Sequence, residues 1–104
     1  MTKLSLKAKP TFTAKVAVPV AGGESVDITF TFKHRTKTQL DEFINSRQGV
    51  DDVVSFMDMV SAWDLEGEEF NADNVRLLLE NYIGVAVSTY RIYIEELLKA
   101  KLGN

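Results

Sequence analysis

The side chains that could carry chemistry are few and scattered. His34 is the one histidine among 104 residues, and it stands between Lys33 and Arg35 at the end of an alternating apolar stretch. An imidazole acting as a general base needs a nucleophile within hydrogen-bond reach and an acid to orient it. No nucleophile-elbow motif or phosphate-cradling glycine pattern is present to supply such a partner, so His34 reads as a solvated loop residue. Four carboxylates, Asp64, Glu66, Glu68 and Glu69, are the other candidates. Hard cations take oxygen ligands, but the twelve-residue spacing of an EF-hand is missing, and a solvated acidic loop is the expectation. With no cysteine in the chain, thiolate nucleophiles, disulfides and cysteine metal sites are excluded. No catalytic residue, cofactor or metal ligand is assigned, and an enzyme is not expected.

Charge points toward protein partners. The net charge is −3, but residues 1 to 37 hold seven basic and two acidic side chains, a balance of +5, while the remainder holds five basic and thirteen acidic ones, a balance of −8. Such asymmetry favours oriented self-association or docking onto a charged partner. Lys7, Lys9 and Lys15 lack the interleaved aromatics and glycines of base-stacking modules, so nucleic acid is not expected. No apolar run approaches the ~20 residues of a membrane span, and residues 1 to 10 lack the continuous apolar segment of a secretory signal.

The elements that must hold these residues follow from periodicity. Phe12, Ala14, Val16, Val18 and Val20 alternate with Thr11, Thr13, Lys15, Ala17 and Pro19, the period-two mark of a half-buried strand, with Pro19 at an edge or an end. Ala21-Gly22-Gly23-Glu24-Ser25 is a turn, and Val26, Ile28, Phe30 and Phe32 repeat the alternation, completing a hairpin. A hairpin alone is marginal in water and needs a cover. Thr36 or Thr38 caps a first helix with Leu40, Phe43 and Ile44 inward and Asp41 and Glu42 in its first turn, and Gly49 stops it. Asp51 or Asp52 starts a second, with Val53, Phe56, Met57, Val60 and Trp63 on one face. Asn71 caps a third, from about Ala72 to Tyr82, with Val75, Leu78, Leu79 and Tyr82 inward, and Ile83-Gly84 marks a break.

A last helix, about Val85 to Lys101, has two apolar sides. Ile83, Val87, Tyr90, Ile94, Leu97 and Leu98 share one face, and Val85 and Ile92 project nearly opposite. Either the helix is buried on both sides, or Val85 and Ile92, flanked by Ser88, Thr89 and Lys99, form a surface patch for another helix or another copy of the chain, which makes them the candidate partner-binding residues. The expected fold is α+β: an N-terminal antiparallel β-hairpin packed on a bundle of about four α-helices, in a single domain over 1–104 with the hairpin in 1–35 and the helices in 36–104.

One order of features resembles a known family. Trp63, the acidic stretch, Phe70-Asn71-x-x-Asn74-Val75, the leucines 77 to 79, Asn81-Tyr82, Tyr90 and the closing Lys101-x-Gly103-Asn104 are similar to those of the tail assembly chaperones of long-tailed bacteriophages and prophages. The resemblance implies a protein of the host bacterial cytoplasm that binds the largely helical tape measure protein and keeps it soluble until the tail tube polymerises around it. It further implies a chaperone absent from the mature virion, in many cases accompanied by a longer product of a programmed frameshift. The alternative is a structural tail subunit, terminator-like or adaptor-like, retained in the particle.

Overall fold

Alternating strands put their apolar faces where something must cover them, and the helices do so. The computed structural model describes residues 1–99. Strands β1 (Thr11–Val18) and β2 (Val26–Lys33) form an antiparallel hairpin in the register Thr11↔Lys33 to Val18↔Val26. Val16, Val18, Ile28, Phe30 and Phe32 are buried from it, as the period-two reading requires. Helices α1 (Lys37–Ser46), α2 (Asp52–Met59), α3 (Ala72–Asn81) and α4 (Val85–Leu98) supply the cover. The architecture is α+β, with a three-stranded antiparallel sheet among the described residues.

The third strand is the main departure from expectation. The apolar stripe Val53, Phe56, Met57, Val60, Trp63 reads as one helix, but α2 ends at Met59 and β3 (Val60–Trp63) follows without a loop. β2 would otherwise leave its outer N–H and C=O groups open, and β3 fills that edge antiparallel, pairing Phe30 with Trp63 and Phe32 with Val60. The register shifts between Thr31 and Phe32, leaving Ser61 as the extra residue of a bulge. Asp64 then finishes the pairing: its backbone N–H donates to Thr29 O at 3.2 Å, and its carboxylate accepts the Thr29 N–H at 2.9 Å. Sheet pairing thus reaches into the part of the chain expected to be wholly helical.

The helix starts obey local capping chemistry. Thr36 accepts from Gln39 N while Gln39 Oε1 takes the Thr36 N–H, a reciprocal capping box. Asp51 caps α2 and Asn71 caps α3 through their side-chain oxygens. Asp41 and Glu42, expected in the first turn of α1, lie beyond it because the helix already begins at Lys37.

Aromatic rings knit sheet to helices. Tyr93 of α4 stacks on Phe12 and Phe32 at 6.0 and 5.4 Å and meets Phe43 of α1 edge-on at 6.0 Å, while Phe30 meets Phe56 of α2 at 5.4 Å. The Tyr93 hydroxyl donates to Lys33 O at 2.7 Å and accepts from Arg35 Nη1 at 2.9 Å. Arg35 also donates to Asp58 O near the end of α2, and Lys33 Nζ donates to Met57 O beside it. Two cations therefore satisfy carbonyls at the negative end of α2, in a place where the helix has no basic residue of its own.

Candidate functional site

Neither group of titratable residues singled out from the sequence is assembled for catalysis. His34 is half-exposed in an open depression with Arg35, Gln39, Glu42 and Asp58, and its backbone N–H donates to Pro10 O at 2.8 Å, extending the hairpin ladder by one step. The carboxylates of the 64–69 loop serve the loop itself. Asp64 caps β2, and Glu69 Oε2 accepts from Asn71 Nδ2 at 3.2 Å. Trp63 and Phe70 pin the loop ends together, edge to face at 5.1 Å, and the indole N–H donates to Glu68 O at 2.7 Å. Gly67 takes φ 74° at the tip, a conformation that favours glycine. Among the described residues, no three His, Asp or Glu side chains converge as a metal site.

Val85 and Ile92 do not form a surface patch. Val85 is 0% exposed, and Ile92 is half-buried and packed on the core. α4 is buried along an arc that runs from Ile92 and Val85 through Thr89 and Tyr93 to Ile94, because it lies between β1 and α2 and is covered by both. Gly84 sets the phase of that arc. A Cβ at Gly84 would stand 3.2 Å from Pro19 Cγ, so the first turn of α4 closes onto the chain just after β1 with Val85 turned inward.

The apolar residues left outside are others. Ile83 is 87% exposed, Val87 63% and Leu98 56%, and at about 100° per residue Val87 and Leu98 fall on one side of α4. The sequence reading puts all three on one broad face with Tyr90, Ile94 and Leu97, opposite Val85 and Ile92, since an almost continuously apolar helix gives no phase of its own. Exposed apolar side chains aligned on one helix are suited to contact with another helix.

A second apolar feature lies beside α3. Between the turn end of the hairpin and α3 runs a groove of about 340 Å³ floored by Val18, Val26, Ile28 and Leu78 and walled by Trp63 and Leu77, with Glu68 on its rim. Tyr82, expected to point inward, lines this groove and is partly exposed.

The family model described as phage tail assembly chaperone matches residues 1–104, and the chain belongs to that family. No curated protein and no solved structure matches the chain. No helix among the described residues is long and apolar enough to cross a membrane. The Lys101-Leu102-Gly103-Asn104 terminus of the sequence resemblance, and the last turn expected for α4, lie outside the described residues.

Proposed function

We propose that this chain binds the tape measure protein of its phage or prophage in the host cytoplasm and holds it soluble until the tail tube polymerises around it. The observation that carries the reading is the family match over the whole chain. Val87 and Leu98, exposed on one side of α4, with Ile83 exposed in the turn before it, supply a physical means. A long helical polypeptide shows apolar stripes before assembly, and a helix laid along α4 would cover its own stripe and this one together. Each contact is small, so strength comes from many copies lined along one partner, and release follows when tube subunits compete for the same stripe. No ATP is needed, the role is not enzymatic, and the chaperone leaves before the virion is complete. A frameshifted longer product of the same reading frame is a further partner under this reading. Val85 and Ile92 would take part only if α4 swung away from β1, which makes Ile83 and Val87 the first residues to test.

Co-expression with the tape measure polypeptide is the test. The expected result is a soluble tape measure that co-purifies with this chain, and loss of both with an Ile83→Asp/Val87→Asp variant that still folds. A tape measure that stays insoluble with both the chain and its longer product would overturn the proposal. So would recovery of the chain in purified virions, which is the mark of a structural tail subunit.

A further inference from the structure

The sheet keeps one edge open. β1 stands at its end in the order β1-β2-β3, with β3 filling the far side of β2. The phase of the ladder shows which backbone groups are left over. The His34 N–H donates to Pro10 O, so in the register Thr11↔Lys33 the pairs that exchange bonds are Phe12 with Phe32 and every second pair beyond it. The N–H and C=O groups of Thr11, Thr13, Lys15 and Ala17 therefore face away from β2, and among the described residues no hydrogen bond reaches them. Long open edges are ordinarily blunted by charge, proline, a bulge or a covering element. This one has Lys15 within it and Pro19 only after its end.

The core face of β1 is incomplete at the same place. Ile28, Phe30 and Phe32 of β2 are buried, as are Val16 and Val18 of β1, but Phe12 and Ala14 are only partly covered. Thr11, Thr13 and Lys15 are exposed on the opposite face. The Thr11 to Lys15 half of β1 thus lacks both a neighbouring strand and a full cover.

We infer that this half of β1 takes an extended segment of another protein as a fourth strand, apolar on the face that meets Phe12 and Ala14 and acidic on the face that meets Lys15. Bonds to the open edge supply binding, and alternate side chains supply selection. Charge decides among the candidate strands. β1 and residues 1–10 hold Lys3, Lys7, Lys9 and Lys15 and no acidic residue. The chain's own first residues, folded back at Pro10, would set lysines beside Lys15, and β1 of a second copy would bring two basic strands together; like charges across a strand pair oppose pairing. An acidic segment is attracted by the same lysines and pairs with Lys15 across the ladder. The site takes a strand and lies apart from the exposed apolar residues of α4, so the inference does not rest on the tape measure reading.

The probe is a capped synthetic peptide, Thr-Val-Glu-Val-Glu-Val-Thr, set beside the same peptide with lysine for glutamate. Each is titrated into the isotope-labelled full chain and followed by NMR, with amide exchange measured residue by residue. The acidic peptide should slow exchange at Thr11, Thr13 and Lys15, whose N–H groups face the edge, and leave Phe12 and Ala14, already bonded to β2, nearly unchanged. Binding should weaken from about 0.05 M to about 0.5 M salt, and the lysine peptide should bind about tenfold more weakly or worse. Thr13→Pro removes one outward N–H and keeps the bonds to β2, so it should retain its circular dichroism spectrum and lose the peptide. Lys15→Glu, an exposed change, should shift the ratio of the two affinities about tenfold toward the lysine peptide, which keeps the test sound if Thr13→Pro fails to fold. No binding up to about 5 mM peptide, protection without the alternation, shifts confined to α4 or to the groove beside α3, or an unchanged ratio in Lys15→Glu would each overturn the inference. Edge amides already protected without peptide would overturn it as well, assigning the edge to the chain's own first residues if protection is constant and to a second copy if it grows with concentration.

Discussion

Replacing Tyr93 with Phe isolates a single hydroxyl at the point where sheet, α2 and α4 meet. The ring would keep its place between Phe12, Phe32 and Phe43. Lost are the bond to Lys33 O at 2.7 Å and the bond from Arg35 Nη1 at 2.9 Å. A neutral bond contributes about 1 kcal/mol net and one to a charged group about 1.5–3 kcal/mol. Two features reduce the loss. Arg35 keeps Asp58 O at 2.8 Å and the face of Phe43 at 4.2 Å, and Lys33 is exposed, so water can replace the hydroxyl at its carbonyl. The expected destabilisation is therefore about 1–2 kcal/mol, which lowers Tm by roughly 5–15 °C in a domain of this size.

The same variant carries a pH signature. Burial pushes the Tyr93 hydroxyl above the usual tyrosine range, against the opposing pull of its hydrogen bond and charge interaction with Arg35. A group whose pKa is raised on folding gives stability that is complete below its unfolded value, near 10, and is lost as pH climbs through the folded one. Urea unfolding at neutral pH and at steps from about pH 9.5 to 11 should show wild type losing stability faster than Tyr93→Phe at the alkaline end. Tyr82 and Tyr90 are common to both proteins and cancel in the comparison. A neutral-pH difference below about 0.5 kcal/mol, or parallel alkaline slopes, would refute the reasoning that this hydroxyl joins the three elements.

Other consequences are more local. Asp64→Ala removes the acceptor of the Thr29 N–H and should cost about 1 kcal/mol, with faster amide hydrogen exchange at Thr29 while Phe32 stays protected. Thr89 is 0% exposed and its hydroxyl has no hydrogen-bond partner among the described residues; Thr89→Val should stabilise by about 1 kcal/mol, and a lower Tm would show that the hydroxyl is bonded after all. Val85→Ala should cost about 2 kcal/mol in chemical denaturation, since it empties a buried site. Val87→Ala should stay within about 0.5 kcal/mol of wild type, and the reverse order would mean that α4 is turned the other way.

What the sequence disclosed and what it withheld divide along local and non-local physics. The hairpin was legible because alternation is a property of each strand alone; Asn71 was legible as a cap, and Thr36 and Asp51 each as one of two candidates, because a cap bonds its own next turn. β3 was not. Val60-Ser61-Ala62-Trp63 continues the helical stripe of α2, and only the open edge of β2, some thirty residues earlier in the chain, makes extension the better state. The loop pinned by Trp63 and Phe70 was anticipated, but the role of Asp64 in closing the ladder depends on β3 and stayed hidden with it.

α4 shows the same limit. With Val85, Val87, Ile92 and Ile94 all apolar, the helix satisfies periodicity in more than one rotation, and composition alone cannot choose among them. The choice is made elsewhere, by the approach of Pro19 to Gly84 and by the stack that holds Tyr93 between strand and helix. Once those contacts turn Val85 and Tyr93 inward, Val87 and Leu98 have no core position left, and they stay exposed. The exposed apolar side chains of α4 are thus a residue of its packing: they are the ones that β1 and α2 leave uncovered once Val85 and Tyr93 face inward.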